Sequence, residues 1–578
     1  MGSAQRGGGQ AGKEGDARRC FLDVSHRRRD HRAVTSTSRP PLSTAAHSPR
    51  ARLRAFSASS TPGLIAPTLC LLPHRLSAAC GGRSDTYVHV SHSLEIITMS
   101  EDGYLSFLTD FIPVGPQTYL HHKLHSDIAA ASVAKDNITD YKALDADEIS
   151  AVPTYTLQGL WWVLWLVCLE YVVLWWQRAP LPCLHDNVMS MVHGVLYEIT
   201  KVLVRGTEYG AYMWLWQNYA FLPPMGDSFL AVVALVVLVD LGYYWFHRAS
   251  HEIMLLWAIH QVHHSSQDLT VSVGMRHSPL QRSFAWVFYL PLALLGVPPS
   301  LMLAHAQFNL LFQCWLHTEA VPSLGPLEYV FNTPNHHRVH HGSNKYCLDK
   351  NYGGVFIFWD HLFGTFEAPD KEQKIVYGIL IQPEFFNPIS HQFHYFRNVV
   401  RKMRSMDSWR NSFVSLIKGP SWLPGAPWTG WDKDKLDVTY PREYMKATAT
   451  PTTHTYVILH FLATLMLTCR LAPHAGDHQA AVLLYSGSVV AALTSAGMLY
   501  NQTWYTPALE AARCVGGLVL CLLVTPPAAA ASLLPLLTVL YVLSLLIWVF
   551  KPSFVLCNRA APATPQLANA QQQKKHFE

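Results

Sequence analysis

Long apolar runs with few or no charges recur from residue 157 to near the end of the chain. The clearest runs cover residues 157–176, 229–246, 285–303, 480–500 and 531–550, and shorter ones cover 455–469 and 511–525. A helix needs about 20 apolar residues to cross the hydrocarbon core of a bilayer, and most of these runs approach that length. One or two such helices fit inside a soluble protein, but all of them together do not. The pattern therefore predicts an all-α, polytopic membrane helical bundle.

The spacing of polar stretches divides the chain into parts. Residues 1–98 are rich in Arg, Ser, Ala and Gly, which favours a disordered or non-native extension over the alternative of an organellar transit peptide. A polar segment follows over 99–152, with Met99 as an alternative start. We then expect the main membrane domain over 153–430, a linker over 431–450, a C-terminal transmembrane module over 451–552 and a flexible tail over 553–578.

Composition and charge support a membrane protein. Half of the residues are hydrophobic and only 14% are charged, which is too apolar for an ordinary soluble protein. The net charge is +5, and the basic stretch over 397–410 is typical of a cytosolic, lipid-facing segment rather than of a nucleic-acid site. The eleven cysteines show no CxxC spacing, so they indicate neither a disulfide framework nor a thiolate metal site. They fit a reducing, cytosol-facing environment.

Three tight histidine clusters are the main chemical signal. They are His247-x3-His251, His260-x2-His263-His264 and His337-x2-His340-His341. Histidines four positions apart share one helix face, and a His-x2-His-His run adds a third ring beside them. Neutral imidazole binds iron, zinc and copper, and eight such ligands are too many for one ion. We therefore predict a dinuclear metal centre, and because the run over 229–246 leads directly into His247, we expect it where helices leave the bilayer.

Other polar residues near these clusters also have structural interpretations. His336 is the alternative to His337 as a ligand, and we favour His337. The lone residues His277 and His305 we interpret as polar packing residues. Glu170 lies inside an apolar run, where an ionisable group is costly, and both a functional role and a polar seam between helices stay open.

The clusters belong to a longer pattern of residues. It includes Asp240-x2-Tyr243-Tyr244-Trp245-Phe246-His247-Arg248, Trp315-Leu316-His317-Thr318-Glu319 and Trp359-Asp360-x2-Phe363-Gly364-Thr365-Phe366. This pattern resembles the fatty acid hydroxylase/sterol desaturase superfamily, whose three histidine boxes occur in the same order. Within it, the chain is most similar to the alkylglycerol monooxygenases, on residues that include His251-Glu252, Asn332-Thr333-Pro334, Asp349-Lys350-Asn351-Tyr352-Gly353-Gly354 and Lys418-Gly419-Pro420. The resemblance is close over 150–430 and covers 430–555 by hydropathy only.

The resemblance implies a set of site residues and cofactors. The implied metal ligands are His247, His251, His260, His263, His264, His337, His340 and His341, with His317 as a ninth. Two iron ions and tetrahydrobiopterin are the implied cofactors, although no motif reveals the pterin site. Glu252 is the predicted catalytic carboxylate, as a bridging group or one that orients a histidine, and an i,i+4 pair with Arg248 is the structural alternative.

The resemblance also implies a reaction and a setting. We expect O2-dependent hydroxylation of the alkyl carbon next to the ether oxygen of an alkylglycerol or lyso-alkyl phospholipid, followed by collapse to a fatty aldehyde and a glycerol derivative. The expected location is the endoplasmic reticulum membrane, with the site at the cytosolic face. Two alternatives stay open. One is a sterol or fatty acyl hydroxylase or desaturase that uses cytochrome-delivered electrons, and the other is a histidine-rich zinc transporter or sensor.

Overall fold

The computed structural model describes residues 152–556, apart from 204–206, 226–227, 448 and 475–478. Throughout these residues every regular element is a helix, and the only β-bridges are isolated ones between Phe331 and Phe356 and between Gly342 and Tyr377. The predicted all-α class is therefore confirmed. The predicted extension over 1–98, nearly all of the polar segment over 99–152 and most of the tail over 553–578 lie outside the described residues.

The α-helices follow one another through the whole described region. They are α1 (Tyr155–Trp176), α2 (Leu184–Leu203), α3 (Thr207–Tyr219), α4 (Phe229–Glu252), α5 (Met254–His264), α6 (Arg282–Ala285), α7 (Leu290–Leu294), α8 (Pro299–Cys314), α9 (Pro334–His340), α10 (Phe358–Phe363), α11 (Pro388–Arg404), α12 (Trp409–Ile417), α13 (Pro451–Leu471), α14 (Gln479–Asn501), α15 (Thr506–Leu523), α16 (Ala528–Ala531) and α17 (Leu534–Phe550). Short 3-10 helices lie between them at Val271–Met275, Pro279–Gln281, Trp286–Tyr289, Gly325–Tyr329, Lys345–Cys347, Asp432–Asp434, Ala472–His474 and Pro552–Phe554.

Five of the described helices are long and apolar enough to cross a membrane, namely α1, α4, α13, α14 and α15. α17 is also apolar but has only 17 residues. These helices coincide with apolar runs singled out in the sequence. An apolar run that crosses a bilayer is expected to fold as a helix, because in hydrocarbon the backbone must satisfy its hydrogen bonds within the segment. The structure thus supports a multi-pass membrane protein.

The apolar run over 285–303 does not form one membrane-length helix, which corrects its inclusion among the candidate spans. A 3-10 helix and the short α7 precede a turn at Gly296, and α8 begins only at Pro299. Proline cannot donate a backbone hydrogen bond inside a helix, and the sequence places prolines at 291, 298 and 299. Gly296 has φ +77°, and a Cβ there would lie 2.6 Å from the Leu222 and Pro223 carbonyl oxygens. These prolines and the close approach at Gly296 account for the break.

α2 is the longest helix that the apolar runs did not indicate. Polar residues such as Asp186 interrupt its apolar face, so it lacks a membrane-length run. Its Val192 and Val195 nevertheless lie in one buried apolar cluster with Tyr456 of α13 and Val489 of α14. The segments before and after the linker therefore share a core, and the module boundary at residue 451 stays a prediction.

A buried polar network joins the C-terminal helices. Arg513 pairs with Glu510 on α15, with Nε 2.7 Å from Oε1. The Tyr456 hydroxyl of α13 donates to Glu510 Oε2 at 2.7 Å, and Trp548 Nε1 of α17 donates to the Tyr456 oxygen at 2.8 Å. Ser495 of α14 also donates to Glu510. Hydrogen bonds of this kind hold helices together where the surrounding lipid gives no hydrophobic driving force.

Candidate metal centre

Nine buried histidines from distant parts of the chain form two adjacent groups. The first contains His247 and His251 of α4, His260 and His264 of α5, and His340 of α9. The second contains His263 of α5, His317 after α8, His337 of α9 and His341 just beyond α9. Within each group one nitrogen of every ring lies within 4.8 Å of the others. The fold therefore brings together all nine histidines singled out as metal ligands.

The five-histidine group has ring nitrogens that no protein atom satisfies. The Nε2 atoms of all five rings are buried and have no hydrogen-bond partner. The ring centroids of His247 and His340 are 4.4 Å apart, and those of His251 and His264 are 4.7 Å apart. A buried polar atom without a partner is costly, whereas converging imidazole lone pairs satisfy a cation. This group fits a metal ion.

The four-histidine group converges even more closely. His317 Nε2 lies 3.2 Å from His263 Nε2 and 2.9 Å from His337 Nε2. His317 Nδ1 is 2.9 Å from the Gln313 carbonyl oxygen, which can only accept, so Nδ1 carries the proton and Nε2 presents a lone pair. His341 Nε2 is buried without a partner. The two groups adjoin, because the rings of His264 and His341 stack with centroids 4.3 Å apart.

The first group is oriented from behind by a short backbone segment. His247 Nδ1 lies 2.8 Å from the Tyr352 carbonyl oxygen, and His340 Nδ1 lies 2.8 Å from the Lys350 carbonyl oxygen. Both rings must donate there, which fixes the tautomer that leaves Nε2 free for a metal. We call residues 349–353 the carbonyl strap. It is bent tightly, with Asp349 at φ +61° and Asn351 at φ +56°.

Two buried aspartates hold the carbonyl strap and the residues after it. Asp360 accepts from the Tyr352 and Gly353 amides at 2.7 and 2.8 Å and from the Thr365 hydroxyl at 2.7 Å. Asp240 of α4 accepts from the amides of Val355 and Phe356 at 2.7 and 3.0 Å. From the sequence, both aspartates were recognised only as parts of a family pattern. The position of Asp240, a carboxylate inside the apolar run of α4, is a sequence signal that could have indicated a buried partner.

Burial keeps the histidines neutral. It lowers the pKa of His317 and of His340 to about 3, and it lowers the pKa of His264 and His341 well below the ordinary value. Neighbouring imidazoles add to the lowering of all four pKa values. A neutral imidazole is the form that binds a metal. Among the described residues, neither group includes a carboxylate or a thiol. An all-nitrogen donor set suits iron, copper or zinc.

The structure places the remaining singled-out residues outside the two groups. The Glu252 carboxylate accepts from Arg248 Nε at 2.9 Å, which is the structural alternative considered for it, and its catalytic role stays a prediction. His336 is buried and makes a T-shaped ring contact with Phe366. Glu170 accepts from the Val271 amide at 3.0 Å and from the Thr318 hydroxyl, so it lies in a polar seam next to His317.

His277 is a packing residue that lies directly beside the metal centre. Its ring stacks on His263 with centroids 5.1 Å apart and 6° between the ring planes. It belongs to neither ligand group. It therefore packs against the ring of His263, a contact that sequence spacing alone did not indicate.

Comparisons with known proteins agree with this geometry. A family model described as fatty acid hydroxylase matches residues 232–365, which contain all nine histidines. The alkylglycerol monooxygenase of Homo sapiens is 39% identical over 376 residues, covering 64% of this chain and 83% of the human protein. The proteins of that name from Danio rerio and Caenorhabditis elegans are 39% and 30% identical, with 82% and 78% of their lengths covered by 64% of this chain. No solved structure matches the chain.

Proposed function

The chain belongs to the alkylglycerol monooxygenase family, and we propose that it is a membrane-bound ether-lipid monooxygenase. The observation that carries this proposal is the pair of adjacent, buried, all-histidine groups at the end of α4. A structural zinc site closes around four ligands, whereas nine imidazoles for two ions leave room for oxygen chemistry. The relatives named for this activity support the choice of an ether lipid as substrate.

The proposed reaction cleaves the ether in two balanced stages. Hydroxylation converts the CH2 next to the ether oxygen of an alkylglycerol or lyso-alkyl phospholipid into a hemiacetal, and O2, two electrons and two protons are consumed with release of one water. The hemiacetal then collapses to a fatty aldehyde and a free glycerol hydroxyl. Two iron ions together with tetrahydrobiopterin, the donor of the two electrons, would supply the reductive activation of O2. The five-histidine and four-histidine groups would hold one iron each.

The protein's own residues provide orientation and a dry site. The Tyr352 and Lys350 carbonyls fix the rings of His247 and His340, so that both Nε2 atoms converge. Burial of all nine rings excludes bulk water from the reacting centre. The apolar part of α4, over 229–246, ends directly before His247, so an alkyl chain can stay in the bilayer while its polar head meets the centre. We place this site at the cytosolic face of the endoplasmic reticulum membrane.

Aldehyde release from purified full-length protein tests the proposal. We expect alkylglycerol to give fatty aldehyde only when O2 and tetrahydrobiopterin are both present, and metal analysis to give two irons per chain. Activity restricted to a sterol or fatty acyl substrate with a cytochrome partner would favour the alternative hydroxylase function. One tightly bound zinc with no turnover would favour the zinc transporter or sensor.

A further inference from the structure

A basic and aromatic surface covers α11 and α12, the two helices behind the metal centre. The stretch over 397–410 contains five basic residues and one acidic residue. Arg397, Val400 and Arg404 follow one another at helical spacing on α11 and are exposed. On α12, Trp409 is 85% exposed and Phe413 is 60% exposed. We call this surface the arginine face.

The arginines of the arginine face have no carboxylate partner in the part of the chain that the structure describes. Among the described residues, none of Arg397, Arg401 and Arg404 forms an ion pair with a carboxylate. An open groove of about 510 Å³ lies over Phe396, Arg397, Val400, Arg401 and Arg404. The exposed aromatic and aliphatic side chains are unfavourable in water, whereas the arginines beside them are well hydrated. Together these side chains match a surface that has anionic groups above and hydrocarbon below.

The opposite side of α11 packs against the ligand helix. Val399 lies in a buried apolar cluster with Met254 and Ala258 of α5, the helix that carries His260, His263 and His264. The Gln261 side chain also donates to the His391 carbonyl oxygen at 3.1 Å. A ligand on the arginine face would therefore bind a helix that is in direct contact with α5, the helix that supplies three of the histidines.

The arginine face is tied to the end of a candidate membrane span. The Met254 amide, two residues beyond α4, donates to the Lys418 carbonyl oxygen directly after α12 at 2.7 Å. Trp428 Nε1 donates to the Glu252 carbonyl oxygen at 2.7 Å. The 18-residue run over 229–246, apolar except for the buried Asp240, spans roughly 27 Å as a helix, close to the thickness of the hydrocarbon core. In a bilayer crossed by this candidate span, α11 and α12 would therefore lie at the level of the headgroups.

We propose that the arginine face binds the anionic phospholipid headgroups of the leaflet next to the metal centre, and so holds the ligand helix at the bilayer surface. The charge complementarity of unpaired arginines to lipid phosphate and carboxylate groups selects anionic over neutral lipid. The apolar side chains of Trp409 and Phe413 enter the interface below the headgroups.

Hydrogen exchange of the full-length protein in lipid nanodiscs tests this inference. We expect slower amide exchange over residues 404–417 in discs of phosphatidylcholine with phosphatidylserine than in discs of phosphatidylcholine alone. Each basic side chain near an anionic surface strengthens binding by roughly fivefold, so Arg397→Gln/Arg404→Gln should reduce this lipid-dependent protection by up to roughly thirtyfold. High salt should weaken it in the wild type.

A matched variant and three outcomes decide the result. Lys371→Gln/Lys433→Gln removes two exposed charges elsewhere and should retain the lipid-dependent protection. Iron content and unfolding temperature equal to wild type show that the arginine variant is folded. Equal exchange in both lipids would overturn the proposal, as would equal protection in detergent without phospholipid, because the occupant would then be a segment of protein. If free inorganic phosphate slowed amide exchange over residues 404–417 in neutral discs, the ligand of the arginine face would be a soluble anion. This outcome would also overturn the proposal.

Discussion

Asp360→Asn is the sharpest test of how the carbonyl strap acts on the metal centre. In the structure Asp360 Oδ1 accepts from the Tyr352 amide and the Thr365 hydroxyl, and Oδ2 accepts from the Gly353 amide at 2.8 Å. Asparagine can retain the two bonds to Oδ1, but its amino group replaces Oδ2 and faces the Gly353 N–H. The change removes one charge-assisted hydrogen bond and brings two N–H donors, those of the new side-chain amide and of Gly353, face to face. We expect it to lower the free energy of unfolding by about 1.5–3 kcal/mol.

The effect should fall on one metal group. The Tyr352 and Lys350 carbonyls orient His247 and His340, which both belong to the five-histidine group. Loss of a group that orients a metal-binding histidine typically weakens metal affinity roughly 10–100-fold. In Asp360→Asn we expect the iron of the five-histidine group to be extracted at a roughly 10–100-fold lower chelator concentration than in the wild type. The iron of the four-histidine group should resist extraction as it does in the wild type.

Chelator titration with iron analysis is the measurement, and thermal unfolding of the same samples is the companion. Glu372→Gln, a change at an exposed carboxylate, should leave the titration unchanged. If Asp360→Asn lowers the unfolding temperature but releases both irons as the wild type does, the aspartate only stabilises the fold. The carbonyl strap would then have no part in orienting the ligands.

Three further predictions concern other parts of the chain. His337→Ala should lose the iron of the four-histidine group and all aldehyde release, whereas His336→Ala should retain both, as iron analysis and turnover will show. Burial lowers the pKa of His391 to about 3 from an unfolded value near 6.5, so its contribution to stability is lost as pH falls through that window. His391→Gln should make the acid loss of unfolding free energy shallower by about 1.4 kcal/mol per pH unit there. Glu510→Gln should lower the unfolding free energy by about 3–5 kcal/mol, since Arg513 keeps a buried charge, and unchanged thermal stability would contradict this.

The sequence alone determined the class of the protein and the identity of its chemical groups. Helix periodicity and apolar length are local properties, so α1, α4, α14 and the C-terminal helices followed from the composition of single segments. The histidine clusters were equally local. A His-x2-His-His run fixes its own geometry once its helix forms, and the nine predicted histidines do lie in the two groups.

Only the tertiary structure decided how the nine histidines divide between the two metal groups and which other residues orient them. His263 and His264 are adjacent in sequence but belong to different groups, because neighbouring residues on a helix point about 100° apart and meet different partners. The carbonyl oxygens that orient His247 and His340 come from residues 350 and 352, and the buried carboxylate behind them comes from Asp360. The polar helix α2 and the broken run over 285–303 likewise depend on packing and on a close backbone approach at Gly296. Such contacts join distant segments, and no local pattern in the chain encodes which segments will meet.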